Sequence, residues 1–201
     1  NFPTSSNIVA TDVKIGKVHQ IRLKYKDGEI KIREFTLPNQ IHNGDKIDNS
    51  IEWAITMKAT NDNESSIRIR CGFKDQIIGF SDTGEHLDAL QFIKNEKYQL
   101  HIGTEAPESI MWRAKEENAM PSRFFTMLKN AKRDYAEKAF THYESNGFVT
   151  KYPNLKKDEL IQFHYLIAAS ELQNENDVRT WLAVERRIEE IEKIIKSATL
   201  P

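Results

Sequence analysis

The stretch "KVHQIRLKYKDGEIKIREFTL", residues 17–37, decides the fold class, because its side chains alternate between apolar and charged. Alternation with a period of two is typical of a β-strand that buries one face. The apolar side chains stand at every second position on both sides of Asp27-Gly28: Ile21, Leu23 and Tyr25 before it, Ile30 and Ile32 after it. Asp-Gly between two alternating segments is typical of a tight hairpin turn, in which glycine accepts a positive φ. The stretch therefore predicts two antiparallel strands.

Other segments up to residue 115 continue this pattern. Residues 51–60 and 66–73 alternate clearly, and residues 97–103 and 109–115 do so more weakly. Residues 84–95 differ, because their apolar side chains recur every three positions and so predict a short helix. We therefore expect an N-terminal, mostly antiparallel β-sheet region with one short helix, spanning residues 1–116.

From Pro121 onward the apolar spacing becomes helical. Three segments have this spacing, residues 121–147, 156–173 and 180–198, and the middle segment is apolar nearly all round. Short connections favour antiparallel packing of neighbouring helices. The sequence therefore predicts an α+β protein in which a C-terminal three-helix antiparallel unit, residues 117–201, follows the β-rich region. The two regions form either two domains or one compact unit.

The last predicted helix carries an apolar stripe whose residues are three or four positions apart. The stripe either packs on the middle helix of the same chain or contacts a partner protein. Leu182 and Ile194 lie beside it and broaden its apolar surface, which a second subunit could cover. The candidate protein-interaction residues are Trp181, Leu182, Ile188, Ile191, Ile194 and Ile195.

A second candidate surface is basic. Its cations alternate along the predicted strands, so those of one strand share a face: Arg22, Lys24, Lys26, Lys31, Arg33, Arg68 and Arg70. If these strands are neighbours, their polar faces form one surface that can bind phosphates. Phe35 is the one aromatic residue placed to stack a base there, and Glu29 reduces the positive charge. An ordinary solvated sheet face is the alternative interpretation.

Composition excludes several function classes. With 29 Lys and Arg against 30 Asp and Glu, the net charge is −1, so no overall positive field attracts nucleic acid or a membrane. The single cysteine, Cys71, excludes an internal disulfide and a multi-cysteine zinc site, and it fits a cytoplasmic protein. No apolar run is long enough to span a bilayer, and the first residues lack a signal-peptide pattern. Because the chain does not begin with Met, a targeting segment could have been removed.

The sequence contains no strong catalytic or metal-binding motif. Three loose groupings of His with carboxylates or another His occur: His42 with Asp45 and Asp48, Glu85 and His86 with Asp88, and His142 with His164. Neither of the first two has the spacing of a calcium loop or a helical zinc site. His142 and His164 lie on adjacent predicted helices and could meet, but a helical His is more often a structural residue. The alternation places Cys71 among buried apolar residues, and no phosphate loop or nucleophile elbow is present. We expect no catalytic residue, metal or cofactor.

These observations predict a non-catalytic interaction or regulatory module that binds a partner protein, or a second copy of itself, through the helical region. The alternative is a nucleic-acid-binding protein that uses the basic sheet face. A third hypothesis, an enzyme with its site between sheet and helices, has less support because the chain lacks catalytic motifs.

Overall fold

The computed structural model describes residues 8–38, 45–63, 66–72, 80–83, 87–94, 97–130, 141–144 and 146–200. Within these ranges the chain is an α+β protein built mostly of strands. The strands are β1 Val9–Ile15, β2 Val18–Tyr25, β3 Gly28–Phe35, β4 Asn49–Ala59, β5 Ile67–Gly72, β6 Phe80–Thr83, β7 Leu87–Lys94, β8 Tyr98–Glu105, β9 Thr141–Glu144, β10 Gly147–Tyr152 and β11 Leu160–Glu171. The helices are α1 Pro107–Lys115, α2 Arg123–Asn130, α3 Arg179–Val184 and α4 Ile188–Thr199. No helix in the described ranges is long and apolar enough to cross a membrane.

The strands form two antiparallel sheets. Among the described residues, the large sheet has eight strands in the order β1-β2-β3-β4-β11-β8-β7-β6, and the small sheet has three in the order β5-β10-β9. β11 pairs with β4 on one side and with β8 on the other. Because β11 follows residue 117 in the chain, the large sheet combines strands from both predicted regions.

The inner face of the large sheet packs against the small sheet and against α1 and α2. Apolar side chains from β4, β8 and β11 meet side chains from β10 and both helices in one core. The Tyr152 and Phe163 rings, one from each sheet, have centroids 5.2 Å apart. The Tyr165 hydroxyl donates a hydrogen bond across the same core to the Thr150 hydroxyl, at 2.6 Å. The two sheets therefore form a sandwich.

The outer face of the large sheet is partly covered by α3 and α4. A second core lies between these helices and the sheet. It contains Val18, Phe35 and Leu166 from the strands and Ile191 and Ile195 from α4. The Lys17 amide donates a hydrogen bond to the Ala198 carbonyl at 3.0 Å, which ties the end of α4 to the β1–β2 turn. The order of layers is thus helices, large sheet, then small sheet with α1 and α2.

The predicted hairpin of residues 17–37 is confirmed as β2 and β3, but glycine has a different role from the one expected. Gly28 is the first residue of β3, and Lys26 and Asp27 form the turn. A Cβ at Gly28 would lie 2.3 Å from the Lys58 carbonyl oxygen. The close approach of β4, and not a positive φ, is what requires glycine here.

Two of the shorter predictions are wrong. Residues 109–115, predicted as a weak strand, belong to helix α1, which has Pro at its start, acidic Glu108 in its first turn and basic residues in its last. The short helix predicted over residues 84–95 is wrong for 87–94, which form β7 between β6 and β8. In β7, strand pairing outweighs the local helical spacing.

The three-helix unit is not confirmed. The middle helix is wrong, since Leu160–Glu171 is strand β11. Of the first helix, residues 123–130 are helical as predicted, residues 131–140 lie outside the described ranges, and Thr141–Glu144 is a strand. The last helix is confirmed as helical, but it is divided into α3 and α4 by residues 185–187.

Candidate functional site

The apolar stripe of the last helices covers the protein's own core. Ile188, Ile191 and Ile195 are buried, and the latter two belong to the core beneath α3 and α4. Trp181, Leu182 and Ile194 are partly buried and pack against that same core. These side chains therefore pack within the same chain, as the first of the two interpretations of the stripe expects. They pack against strands, however, and not against a middle helix.

Four of the predicted basic residues share the outer face of the large sheet. Directly opposite residues in an antiparallel pair point to the same side. Arg22 lies opposite Lys31, Lys24 opposite Glu29, and Gln20 opposite Arg33. Lys26 lies in the turn beyond them and is exposed. Phe35 has the expected parity but is buried in the second core, so it offers no surface for a base.

Arg68 and Arg70 are not part of this face. They lie on β5, which belongs to the small sheet. Ile67 and Ile69, which alternate with them, pack into the core between the sheets, so both arginines point to the opposite side of the small sheet. Arg70 donates a hydrogen bond to the Asn146 side chain at 2.8 Å. The single basic surface expected from the sequence is therefore divided between opposite sides of the sandwich.

We call Arg22, Lys24, Lys31 and Lys58 the basic corner. Lys58 joins the other three because it lies opposite Glu29 in the β3–β4 pair. Glu29 is shared by two of these cations, with its carboxylate 3.3 Å from Arg22 Nε and 4.0 Å from Lys24 Nζ. Burial and the neighbouring Arg33 guanidinium lower the pKa of Lys31. The corner is thus a region of incompletely compensated positive charge.

A shallow groove of about 440 Å³ continues the basic corner along α4. Its lining consists of Arg33, Glu192, Lys193, Ile195, Lys196 and Thr199. The Arg33 guanidinium donates two hydrogen bonds to the Glu192 carboxylate, which also accepts one from the Gln162 amide. Burial alone would raise the pKa of Glu192, but these contacts hold it below its ordinary value. Arg33 therefore fixes α4 to the sheet.

Strand β1 forms an exposed edge next to this surface. It pairs with β2, and within the described residues its other side has no strand neighbour. All seven of its residues are exposed, and Val9, Val13 and Ile15 retain 60%, 47% and 41% of their accessible surface. Their partners on β2 place these three side chains on the outer face. Sequence analysis missed β1, although its odd-numbered residues alternate with Ala10, Asp12 and Lys14.

The junction between the large sheet and the helices holds a buried polar group: Glu52, Glu105, Arg113 and His164. Arg113 donates a hydrogen bond to the Glu105 carboxylate, and His164 Nδ1 lies 4.0 Å from Glu105. Glu52 and His164 are 0% exposed, and Glu105 and Arg113 are 3% and 5% exposed. Because these side chains are closed off from solvent, their arrangement gives a substrate no access.

Burial dominates the protonation of Glu52 and His164. It raises the pKa of Glu52 to about 8, although the neighbouring Ser50, the Leu37 amide and the Arg186 guanidinium oppose the rise. It lowers the pKa of His164 to about 4, more than the nearby Glu105 carboxylate raises it. At neutral pH, therefore, Glu52 is mostly protonated and His164 is neutral.

Each of the loose groupings from the sequence has a member whose side chain is outside the described residues, and in the described part of the chain no set of three or more His, Cys, Asp or Glu side chains is arranged to hold a metal. His42, Glu85 and His86 lie outside the described ranges, as do the side chains of Asp88 and His142. Cys71 packs against the inner core, and burial raises the pKa of its thiol to about 12. The thiol is therefore not activated as a nucleophile.

Comparison with known proteins gives no family. No family model matches the chain, and no curated protein matches it. A solved structure described as "Putative kojibiose phosphorylase from human microbiome" aligns with 92% of this chain at 9% identity and a TM-score of 0.39. This chain spans 21% of that protein's length. A likeness this weak carries no argument, so function is inferred from the surface itself.

Proposed function

We propose that this protein is a non-catalytic binding module that takes up an extended segment of a partner protein along the free edge of β1. Strand addition of this kind needs a row of unpaired N–H and C=O groups for affinity and exposed side chains for specificity. The observation that carries the proposal is the exposure of every residue of β1, including three large apolar side chains on one face.

The position of β1 defines the chemistry of the segment it would bind. Alternate residues of an added strand would lie on the outer face beside Val9, Val13 and Ile15, where apolar side chains are favoured. The other residues would lie beside Asp12 and Lys14, where charged side chains can pair. An extended segment that alternates apolar and charged residues therefore fits this edge.

Val13→Lys should weaken binding of such a segment at least tenfold, because it replaces the central apolar contact with a charge and costs more than about 1.4 kcal/mol of binding. The probe is an eight-residue peptide selected against the wild-type protein from a displayed random library, and the measurement is fluorescence polarisation. Hydrogen exchange should show the bound peptide protecting the amides of β1.

The matched control is Val178→Lys, because Val178 is another exposed valine, 55% accessible, that lies away from β1. This variant should bind the peptide as the wild type does. Failure of the library to yield any binder, or equal loss of binding in both variants, would remove strand addition at β1 as the function.

The second candidate function is nucleic-acid binding at the basic corner, and the shared face of Arg22, Lys24 and Lys31 supports it. The triple variant Arg22→Gln/Lys24→Gln/Lys31→Gln should weaken binding of a mixed-sequence single-stranded oligonucleotide. It should also reduce the salt dependence, by a slope of about 0.7 for each phosphate that the variant no longer neutralises.

The control for this prediction is Arg68→Gln/Arg70→Gln, which removes two cations from the opposite side of the sandwich. It should leave both affinity and salt slope unchanged. Equal reductions in the two variants would show that binding follows total charge and not the basic corner.

A further inference from the structure

Strand β1 is self-complementary in charge. Asp12 and Lys14 lie on the same face of the strand, one residue to either side of Val13. In an antiparallel pair of two identical strands, the register is defined by the residue that faces its own copy. A two-fold axis perpendicular to the sheet keeps the outer faces of both copies on the same side.

The register centred on Val13 is the one that pairs opposite charges. It places Asp12 opposite the second copy's Lys14, and Lys14 opposite the second copy's Asp12. Moving the centre to Asp12 would place two carboxylates directly opposite each other, which is destabilising. Moving it to Thr11 would place the charged residues opposite Ala10 and Ile8. Charge complementarity therefore selects Val13 as the centre.

The same register also covers the exposed apolar side chains of β1. On the outer face, Val13 would contact the second copy's Val13, and Thr11 would contact the second copy's Ile15. Val13 and Ile15 are among the exposed large hydrophobic residues of this chain. Pairing would remove them from water while satisfying the outward N–H and C=O groups of the edge.

We infer that the segment taken up by β1 is the β1 strand of a second copy of this chain, paired antiparallel about a two-fold axis at Val13, so that the two large sheets join edge to edge. This inference rests on strand addition at β1 and adds the identity of the occupant. A contact limited to one short strand is smaller than the roughly 1,200–2,000 Å² of stable interfaces. The dimer is therefore reversible and depends on concentration.

The test is sedimentation equilibrium of the whole chain over a range of concentrations, with charge-swap variants. The wild type should show a monomer–dimer equilibrium. Asp12→Lys and Lys14→Asp should each weaken dimerisation at least about tenfold, because each places like charges opposite one another at two positions. Circular dichroism should show that both variants stay folded, since both residues are exposed on an edge strand and Asp12→Lys removes only one exposed hydrogen bond, between Asp12 and His19.

An equimolar mixture of the two single variants provides the decisive result. In the mixed pair, the introduced lysine faces the introduced aspartate and the remaining native Asp12 and Lys14 face each other. Dimer formation should therefore return to within about threefold of the wild type, and the double variant Asp12→Lys/Lys14→Asp should also dimerise. A dimer that is insensitive to these swaps would place the contact elsewhere and overturn the inference.

The same experiment separates this inference from the proposed function. If the wild type stays monomeric at all concentrations but still binds a selected peptide through Val13, the second copy is excluded and strand addition stands. In that case Asp12 and Lys14 serve to protect the edge from self-association. If the chain is monomeric and binds no peptide, both proposals fail.

Discussion

Arg113→Met should lower the free energy of unfolding by roughly 3–5 kcal/mol, because it leaves a buried carboxylate without its partner. Arg113 is 5% exposed and Glu105 is 3% exposed, so water cannot replace the missing guanidinium. The measurement is urea denaturation of wild type and variant at pH 7, followed by circular dichroism.

The size of this effect follows from the contacts of Arg113. Besides Glu105, its guanidinium donates hydrogen bonds to the carbonyls of Asn118 and Ala119, each at 3.3 Å, and of Gln162 at 2.8 Å. One side chain therefore joins α1, the loop after it, β8 and β11. Methionine preserves most of the volume but supplies none of these donors.

The double variant Glu105→Gln/Arg113→Met identifies the cause of the destabilisation. If the unpaired carboxylate is responsible, the double variant should be more stable than Arg113→Met alone, although it removes one more native group. The matched control is Arg22→Met, which breaks a partly exposed ion pair with Glu29 and should cost about 1 kcal/mol or less. Equal destabilisation by Arg113→Met and the double variant would show that the hydrogen bonds to the carbonyls dominate.

The sequence predicted those parts of the fold that depend on local pattern. The β2–β3 hairpin was found because charged and apolar side chains alternate along it: Arg22 and Lys31 lie on the outer face, whereas Ile30 and Ile32 pack against the core between the sheets. That contrast gives a clear period of two. The α+β class, the strands β4, β5 and β8 and the helical nature of residues 188–199 were predicted from the same kind of signal.

The central strand β11 could not be predicted in this way, because both of its faces are buried. Phe163 and Tyr165 point into the core between the sheets, and Leu166 and Ala168 point to the core beneath the helices. A strand covered on both sides is apolar at successive positions, so it resembles a buried helix in sequence. This one error turned a sheet strand into the middle of a helical unit.

The candidate site was predicted in part for a related reason. Sequence parity correctly placed Arg22 and Lys31 on one face, because parity is a property of each strand. It could not show that Arg68 belongs to a different sheet, nor that Ile191 packs on the protein's own strands, because both depend on contacts between residues distant in sequence. The apolar stripe indicated that a face must be covered without indicating what covers it.

The buried carboxyl of Glu52 is another property that only the fold reveals. Glu52 alternates with apolar residues in β4 and so resembles a solvated strand residue, yet it is 0% exposed. In the described part of the chain, neither of its carboxylate oxygens has a hydrogen-bond partner. Burial outweighs the influence of the nearby Ser50 hydroxyl, Leu37 amide and Arg186 guanidinium and keeps the carboxyl protonated, and this makes stability depend on pH.

The effect of Glu52→Gln on the free energy of unfolding should depend on pH. Relative to the wild type, the variant should be roughly 3–5 kcal/mol more stable at pH 9 than it is at pH 4.5. Burial raises the pKa of Glu52 from 4.5 to about 8, and each pKa unit is worth about 1.4 kcal/mol. In the wild type, this contribution is present in full below pH 4.5 and is lost as the pH rises through 8, because the unfolded chain releases the proton first. Glutamine stays neutral at every pH and removes this dependence.

Between pH 6.5 and 8, the pH dependence of stability that Glu52 causes is not overlaid by the one that His164 causes. Burial lowers the pKa of His164 from 6.5 to about 4, so its contribution is present above pH 6.5 and is lost as the pH falls through 4. Between pH 4.5 and 6.5 the two groups act in opposite directions and partly cancel. The measurement is urea denaturation at several pH values. The stability of the wild type should fall between pH 6.5 and 8, whereas the stability of Glu52→Gln should not. Glu108→Gln, at an exposed position, is the control for the removal of one negative charge. Parallel curves over that range would mean that the folded protein solvates the Glu52 carboxylate, and that α3 and α4 do not seal this face of the sheet from water.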